Sequence, residues 1–213
     1  MREQLTDITM ILDRSGSMGP MRQETINGVN AFIRAQREQP GEAVFTLVQF
    51  DDHYQVDYAA KPIKEAPELT ERTYEPRGWT ALHDAIGKTI GMVGDRLRRT
   101  PEAERPARVL VVIQTDGQEN FSKEFTAARV REMVEHQKEK YSWVFQFVGA
   151  NQDAVLTGGQ LGITPDFSFS YSSHKAACVK DMYGTLISTA NAFRAGGSAA
   201  ITPADREKQE DVP

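Results

Sequence analysis

The chain has 213 residues, 30 acidic and 25 basic side chains, a net charge of −5 and a single cysteine, Cys178. This size suits one domain with a substantial core, the mild mixed charge without a basic block argues against a nucleic-acid partner, and one cysteine excludes an intrachain disulfide. The apolar runs are strand-sized, far below the roughly 20 residues that span a bilayer, and Met1–Asp7 lacks the sections of a signal peptide, so a cytoplasmic protein away from membranes is expected.

The first element is a strand. Ile8-Thr9-Met10-Ile11-Leu12 is an apolar run of the right length for a buried strand, and it ends at Asp13, with Ser15 and Ser17 following at alternate positions. These three residues fall on the loop past the strand's carboxyl end, where ligands bind in open α/β sheets. One carboxylate and two hydroxyls, with no sulfur or imidazole, suit a hard divalent cation. Gly19-Pro20 then turns the chain into a helix whose apolar face is Thr25, Ile26, Val29, Phe32 and Ile33, and Pro40-Gly41 ends it. Ala43–Phe50 and Tyr54–Tyr58 read as a hairpin around Asp51-Asp52-His53, which implies one antiparallel strand at the sheet edge. Asp51, Asp52 and Asp57 read as solvated hairpin charges, with a second cation site there as the alternative, and His53 as a turn residue.

A proline-rich connection, Lys61–Gly78, leads into Gly78-Trp79-Thr80 and a long helix with the stripe Leu82, Ile86, Ile90, Val93 and Leu97. Thr80 stands where an N-cap hydroxyl belongs, with Asp84 in the first turn and His83 on the helix surface. Gly87-Lys88-Thr89 imitates the end of a phosphate-binding loop, but it lies mid-helix and Leu82 replaces the first glycine. Val109–Ile113 is continuous and β-branched, as in a central strand covered on both faces, and it runs through Gln114-Thr115 to Asp116-Gly117. A helix over Thr126–Gln137 turns Val130, Met133 and Val134 inward. The strand Trp143–Val148 follows, then an exit loop, Gly149–Asp153, and a short helix to Leu161. An edge strand, Phe167–Tyr171, precedes the last helix, Ser173–Arg194, which carries Val179, Tyr183, Leu186, Ala190 and Phe193 on its inner face. Cys178 reads as a small packed residue of that helix. From Gly196 the composition turns to Gly, Ser, Ala and charge, so residues 1–195 form the domain and 196–213 a mobile tail. The alternation of strands and helices predicts an α/β, doubly wound, Rossmann-like domain: a mostly parallel central sheet with one antiparallel edge strand and helices on both faces.

Asp13-x-Ser15-x-Ser17, Thr80 within Gly-Trp-Thr-Ala-Leu, and Asp116 within Val-Val-Ile-Gln-Thr-Asp-Gly together resemble the von Willebrand factor A (vWA) domains, including integrin I domains. The resemblance covers roughly Thr6 to Arg194. It implies a metal-ion-dependent adhesion site at these five positions, with Ser15, Ser17 and Thr80 giving hydroxyl oxygens and Asp13 and Asp116 acting largely through water. The implied cofactor is a divalent cation, Mg²⁺ foremost, with Mn²⁺ or Ca²⁺ open. Neutral hydroxyls leave much of such an ion's charge uncompensated, so the implied partner is a protein presenting an Asp or Glu side chain. Arg14, Met18, Arg77, Trp79, Gln118, Glu119, Asn151 and Gln152 are expected as an exposed rim, with Trp79 as contact anchor or core residue.

Two other readings stand beside this non-enzymatic binding module. Ser15-Gly16-Ser17-Met18-Gly19 approximates the nucleophile elbow of hydrolases, with Ser15 in place of the first glycine; an esterase or metal-assisted phosphohydrolase would use Ser17 or metal-bound water. His136 and His174 fall in predicted helices, away from that loop. The resemblance also permits an interaction subunit for an AAA+ ATPase or stress-response assembly.

Overall fold

A computed structural model describes residues 1–150 and 154–207. The strands are β1 (Arg2–Asp13), β2 (Glu42–Phe50), β3 (Tyr54–Pro62), β4 (Pro106–Thr115), β5 (Val144–Ala150) and β6 (Ser168–Tyr171). The helices are α1 (Arg22–Glu38), α2 (Leu82–Arg99), α3 (Ala127–Tyr141), α4 (Ala154–Gln160), α5 (Ala176–Arg194) and α6 (Pro203–Glu207). The strands form one sheet in the order β3-β2-β1-β4-β5-β6. Only β3 is antiparallel among these pairings, as the hairpin at Asp51-Asp52-His53 requires.

The order follows from the winding. The chain moves outward from β1 through β2 to β3, then crosses back to place β4 on the other flank of β1. Such a reversal leaves a crevice beyond the carboxyl ends of the two central strands. The β1–β4 register sets Leu12 opposite Gln114, so the two chains leave the sheet side by side at Asp13 and Thr115.

Both faces of β1 are covered, and alternate residues enter different cores. Met10 and Leu12 join Val29, Phe32 and Ile33 of α1 and Met182, Tyr183 and Leu186 of α5. Ile11 joins Ile86 and Ile90 of α2 and Val130 and Val134 of α3 on the opposite side. Each such large apolar side chain contributes about 1.5–3 kcal/mol on burial. α1 and α5 meet closely at Gly28, where a Cβ would lie 1.9 Å from the Tyr183 ring. The Tyr183 hydroxyl passes beneath α1 to donate to Gln114 Oε1 at 2.6 Å.

The tail departs from expectation. Ala199 and Ile201 are buried in the core beside α5. The Ile201 amide donates to Asp166 O at 2.8 Å, Gln146 Nε2 to Ala199 O at 2.8 Å, and Arg206 Nη1 to Ser168 O at 2.7 Å. Two apolar side chains within a Gly/Ser/Ala stretch and the buried amide of Gln146 hold the backbone, so residues 196–206 pack against the sheet and α5. Residues 208–213 lie outside the described part. Among the described residues, no helix is long and apolar enough to cross a membrane.

Candidate metal centre

Asp13 ends the central strand and is 0 % exposed. Its Oδ1 accepts the Ser15 amide at 2.6 Å, its Oδ2 accepts the Thr115 hydroxyl at 2.5 Å, and its carbonyl accepts the Tyr74 hydroxyl at 2.8 Å. The chain then enters a 3-10 turn, Gly16–Met21, which sets the Ser15 and Ser17 hydroxyl oxygens 3.1 Å apart. Ser17 Oγ donates to Asp116 Oδ1 at 2.6 Å. Thr80 arrives from the other side: a Cβ added to Gly117 would lie 2.9 Å from Thr80 Oγ1 and 3.4 Å from Ser17 Oγ. Asp13, Ser15, Ser17, Thr80 and Asp116 therefore converge from three loops, and Gly117 keeps the space between the hydroxyls clear.

Thr80 is not the helix cap. α2 starts one residue later, with Ala81 at the N-cap position and no side-chain cap bond. The Thr80 backbone is instead held by Asn120, whose Oδ1 accepts its amide at 2.9 Å and whose amide donates to its carbonyl at 3.1 Å. This buries Thr80 with its hydroxyl facing Gly117. Asn120 and Thr115 were not singled out in the sequence; the Thr-Asp-Gly-x-x-Asn pattern after β4 is the only local signal for them.

The electrostatics favour a cation. Burial pushes the Asp13 carboxyl up to about 7, against the hydrogen bonds from Thr115 and Ser15, and the nearby Asp116 charge adds to the rise. Burial also raises Asp116, opposed by the Ser17 hydroxyl. Among the described residues, no Lys or Arg forms an ion pair with either carboxylate. Two acids short of positive charge and three hydroxyls, all hard oxygen donors, fit a divalent cation.

The rim is smaller than expected. Trp79 is 61 % exposed and so is not a core residue, and Arg77 and Gln118 are also exposed. Arg14 and Met18 are corrections: Met18 is a fully buried core residue, and Arg14 is buried with its Nε donating to Asp51 Oδ2 at 3.0 Å. Glu119 is half-buried and fully engaged, accepting the amides of His83, Phe121 and Ser122. Burial raises its pKa, but the Ser122 hydroxyl and these amides outweigh it, so Glu119 sits below the usual carboxylate range. Its partner His83 is half-buried rather than on the helix surface, and burial holds its pKa low. Asn151 and Gln152 lie outside the described residues. Asp51 is another correction, since it is 0 % exposed and not a solvated charge.

Fold and site together define a class: a doubly wound α/β domain with oxygen donors gathered beyond the ends of its two central strands. The chain belongs to the von Willebrand factor type A domain family, whose model matches residues 7–184. Among solved structures it is similar to proximal thread matrix protein 1 from the mussel byssus, in a form with a zinc-occupied MIDAS motif. That match has 17 % identity and a TM-score of 0.60, covering 90 % of this chain and 47 % of that one. It is also similar to the ArnB paralog VWA2 of Sulfolobus acidocaldarius, at 17 % identity and TM-score 0.52, covering 88 % and 45 % of the two chains. The pilus adhesin SpaC of Lactobacillus rhamnosus GG, in an open conformation, matches at 12 % identity and TM-score 0.66, over 89 % and 31 %. The chain thus spans less than half the length of these proteins. No curated protein matches by sequence.

Proposed function

We propose that this chain is a protein-binding module that works through a divalent cation. The single observation behind this reading is the convergence of Asp13, Ser15, Ser17, Thr80 and Asp116 around a space that Gly117 keeps clear, with no Lys or Arg among the described residues paired to the two acids. Ser15, Ser17 and Thr80 would hold the ion by their hydroxyls, and Asp13 and Asp116 through water, as in the family it belongs to. When bound, the ion supplies a coordination position for an outside carboxylate, because neutral hydroxyls leave its charge largely uncompensated. The partner is therefore a protein that presents an Asp or Glu side chain, with exposed Trp79, Arg77 and Gln118 flanking the contact. Octahedral oxygen coordination favours Mg²⁺.

Calorimetric titration with Mg²⁺ and Mn²⁺ tests the reading. Ser15→Ala removes one donor, and Gly117→Ala places a methyl group against Thr80 Oγ1. Each is expected to weaken binding by about tenfold or more, with thermal unfolding in EDTA unchanged for Ser15→Ala and lowered for Gly117→Ala, whose methyl group displaces the buried Thr80. Equal affinity in wild type and both variants would overturn the assignment. The hydrolase reading has less support, because the Ser17 hydroxyl donates to Asp116 and not to a histidine. Turnover of generic ester or phosphate substrates that disappears in Ser17→Ala would revive it; no turnover is expected.

A further inference from the structure

The geometry points to Asp51 as the positioning residue of this centre, an inference that rests on the cation-binding reading. Asp51 follows the last residue of β2, next to the end of β1, and no part of it reaches solvent. One carboxylate oxygen, Oδ2, accepts from Arg14 Nε at 3.0 Å and from Arg77 Nε at 3.2 Å. Arg14 lies between Asp13 and Ser15, and Arg77 lies three residues before Thr80. A single oxygen thus grips the side chains of both cation loops.

The backbone repeats the link. The Arg77 amide donates to Arg14 O at 2.7 Å, the Gly16 amide to Gly78 O at 3.2 Å, and the Ala81 amide to Asp51 O at 3.0 Å. Gly78 makes the approach possible: its φ is +67°, and a Cβ there would lie 2.0 Å from Asp52 Oδ1. The clamp matters because Ser15 and Ser17 come from one segment and Thr80 from another, with no shared strand to fix their separation. Hydroxyls are weak ligands, so affinity depends on how well they are placed before the ion arrives. Asp51, Asp52 and His53 have ligand atoms within 4.8 Å of one another and superficially form a second cation site. The Asp51 carboxylate, however, is already balanced by two guanidiniums, and its Oδ1 accepts the His53 amide at 2.6 Å. It acts through Arg14 and Arg77, not on the ion.

Asp7 provides the control. It is equally buried and pairs with Arg96 Nη2 at 2.6 Å, but it lies six residues earlier on β1, about 20 Å away at roughly 3.3 Å per residue. Asp51→Asn, Asp7→Asn and the milder Arg77→Gln, which keeps the Arg14–Asp51 pair, are compared by two readouts. These are Mn²⁺ affinity by calorimetry and, in EDTA, hydrogen exchange of the residue-77 amide corrected for intrinsic rate. Asp51→Asn is expected to lose about 10–100-fold in affinity and to exchange faster at residue 77. Arg77→Gln should move both readouts the same way by a smaller factor, and it decides the matter if Asp51→Asn fails to fold. Asp7→Asn should lose stability while keeping both. Wild-type values in Asp51→Asn or its stand-in, or equal loosening by Asp7→Asn, would overturn the clamp. A wild type that binds no cation would sink the cation reading instead, and the exchange rates would still decide whether Asp51 ties the loops.

Discussion

Asp13 and Asp51 stand at the ends of neighbouring parallel strands, each wholly buried, yet their surroundings differ. Two guanidiniums meet Asp51, whereas the Ser15 amide and neutral hydroxyls meet Asp13. A buried carboxylate costs several kcal/mol of hydration, and a well-placed cation offsets that cost. At Asp51 the chain supplies the cation itself, and the result is a joint between loops. At Asp13 none of the described residues supplies one, and burial pushes the carboxyl up to about 7. One residue type at one depth therefore serves scaffold or binding site, depending on who carries the opposite charge.

The sharpest way to break the comparison is to deprive Asp51 of its partner. Arg14→Ala leaves a buried acid whose one remaining guanidinium is the more exposed Arg77, with the His53 amide on its other oxygen, and removing one member of a buried pair costs about 3–5 kcal/mol. The lower end, about 3 kcal/mol, is expected because Arg77 remains on the same oxygen. Urea unfolding in EDTA measures it; a loss below about 1 kcal/mol would put this pair in the class of surface ion pairs.

The opposite sign is expected at Asp13. Asn keeps the shape, accepts the Ser15 amide and can donate to Thr115 Oγ1, while the buried charge disappears. Asp13→Asn should therefore gain about 1–2 kcal/mol in EDTA at pH 8, and it should lose cation binding. A destabilised metal-free Asp13→Asn would mean that the neutral donors already satisfy the charge, and the contrast with Asp51 would vanish.

How much of this was written in the sequence depends on distance along the chain. The strand ending at Asp13 and the helix stripes are local patterns, and they read correctly. The oxygen donors were legible as a set only through the family resemblance, because no local signal shows that α2 returns Thr80 to the end of β1. Arg14 looked like a rim residue because an arginine is rarely buried unless paired, and its partner lies 37 residues away. Met18 failed for a similar reason: a 3-10 turn, not an exposed loop, carries it and folds it into the core. The docking of Ala199 and Ile201 was invisible because it depends on Gln146 and Asp166, which only the folded sheet brings near.

Asp84 shows a third way to keep a carboxylate buried, and it gives the smallest effect. Its oxygens accept the amides of Lys123 at 2.9 Å, Glu124 at 2.9 Å and Phe125 at 2.8 Å, so backbone dipoles replace side-chain cations. Burial raises its pKa, but these amides and the Lys88 charge outweigh it, and the carboxyl ends below its usual value of 3.8. A depressed folded-state pKa means stability that is fully present above the unfolded value and is lost as pH falls through the folded one. Glu119 behaves in the same direction. Acid should thus loosen the 117–125 segment only below about pH 4. Asp84→Asn, which can still accept from only one side, should cost about 1 kcal/mol at pH 7 and flatten that acid limb. If the wild-type acid limb is unchanged in Asp84→Asn, backbone amides do not stabilise this charge.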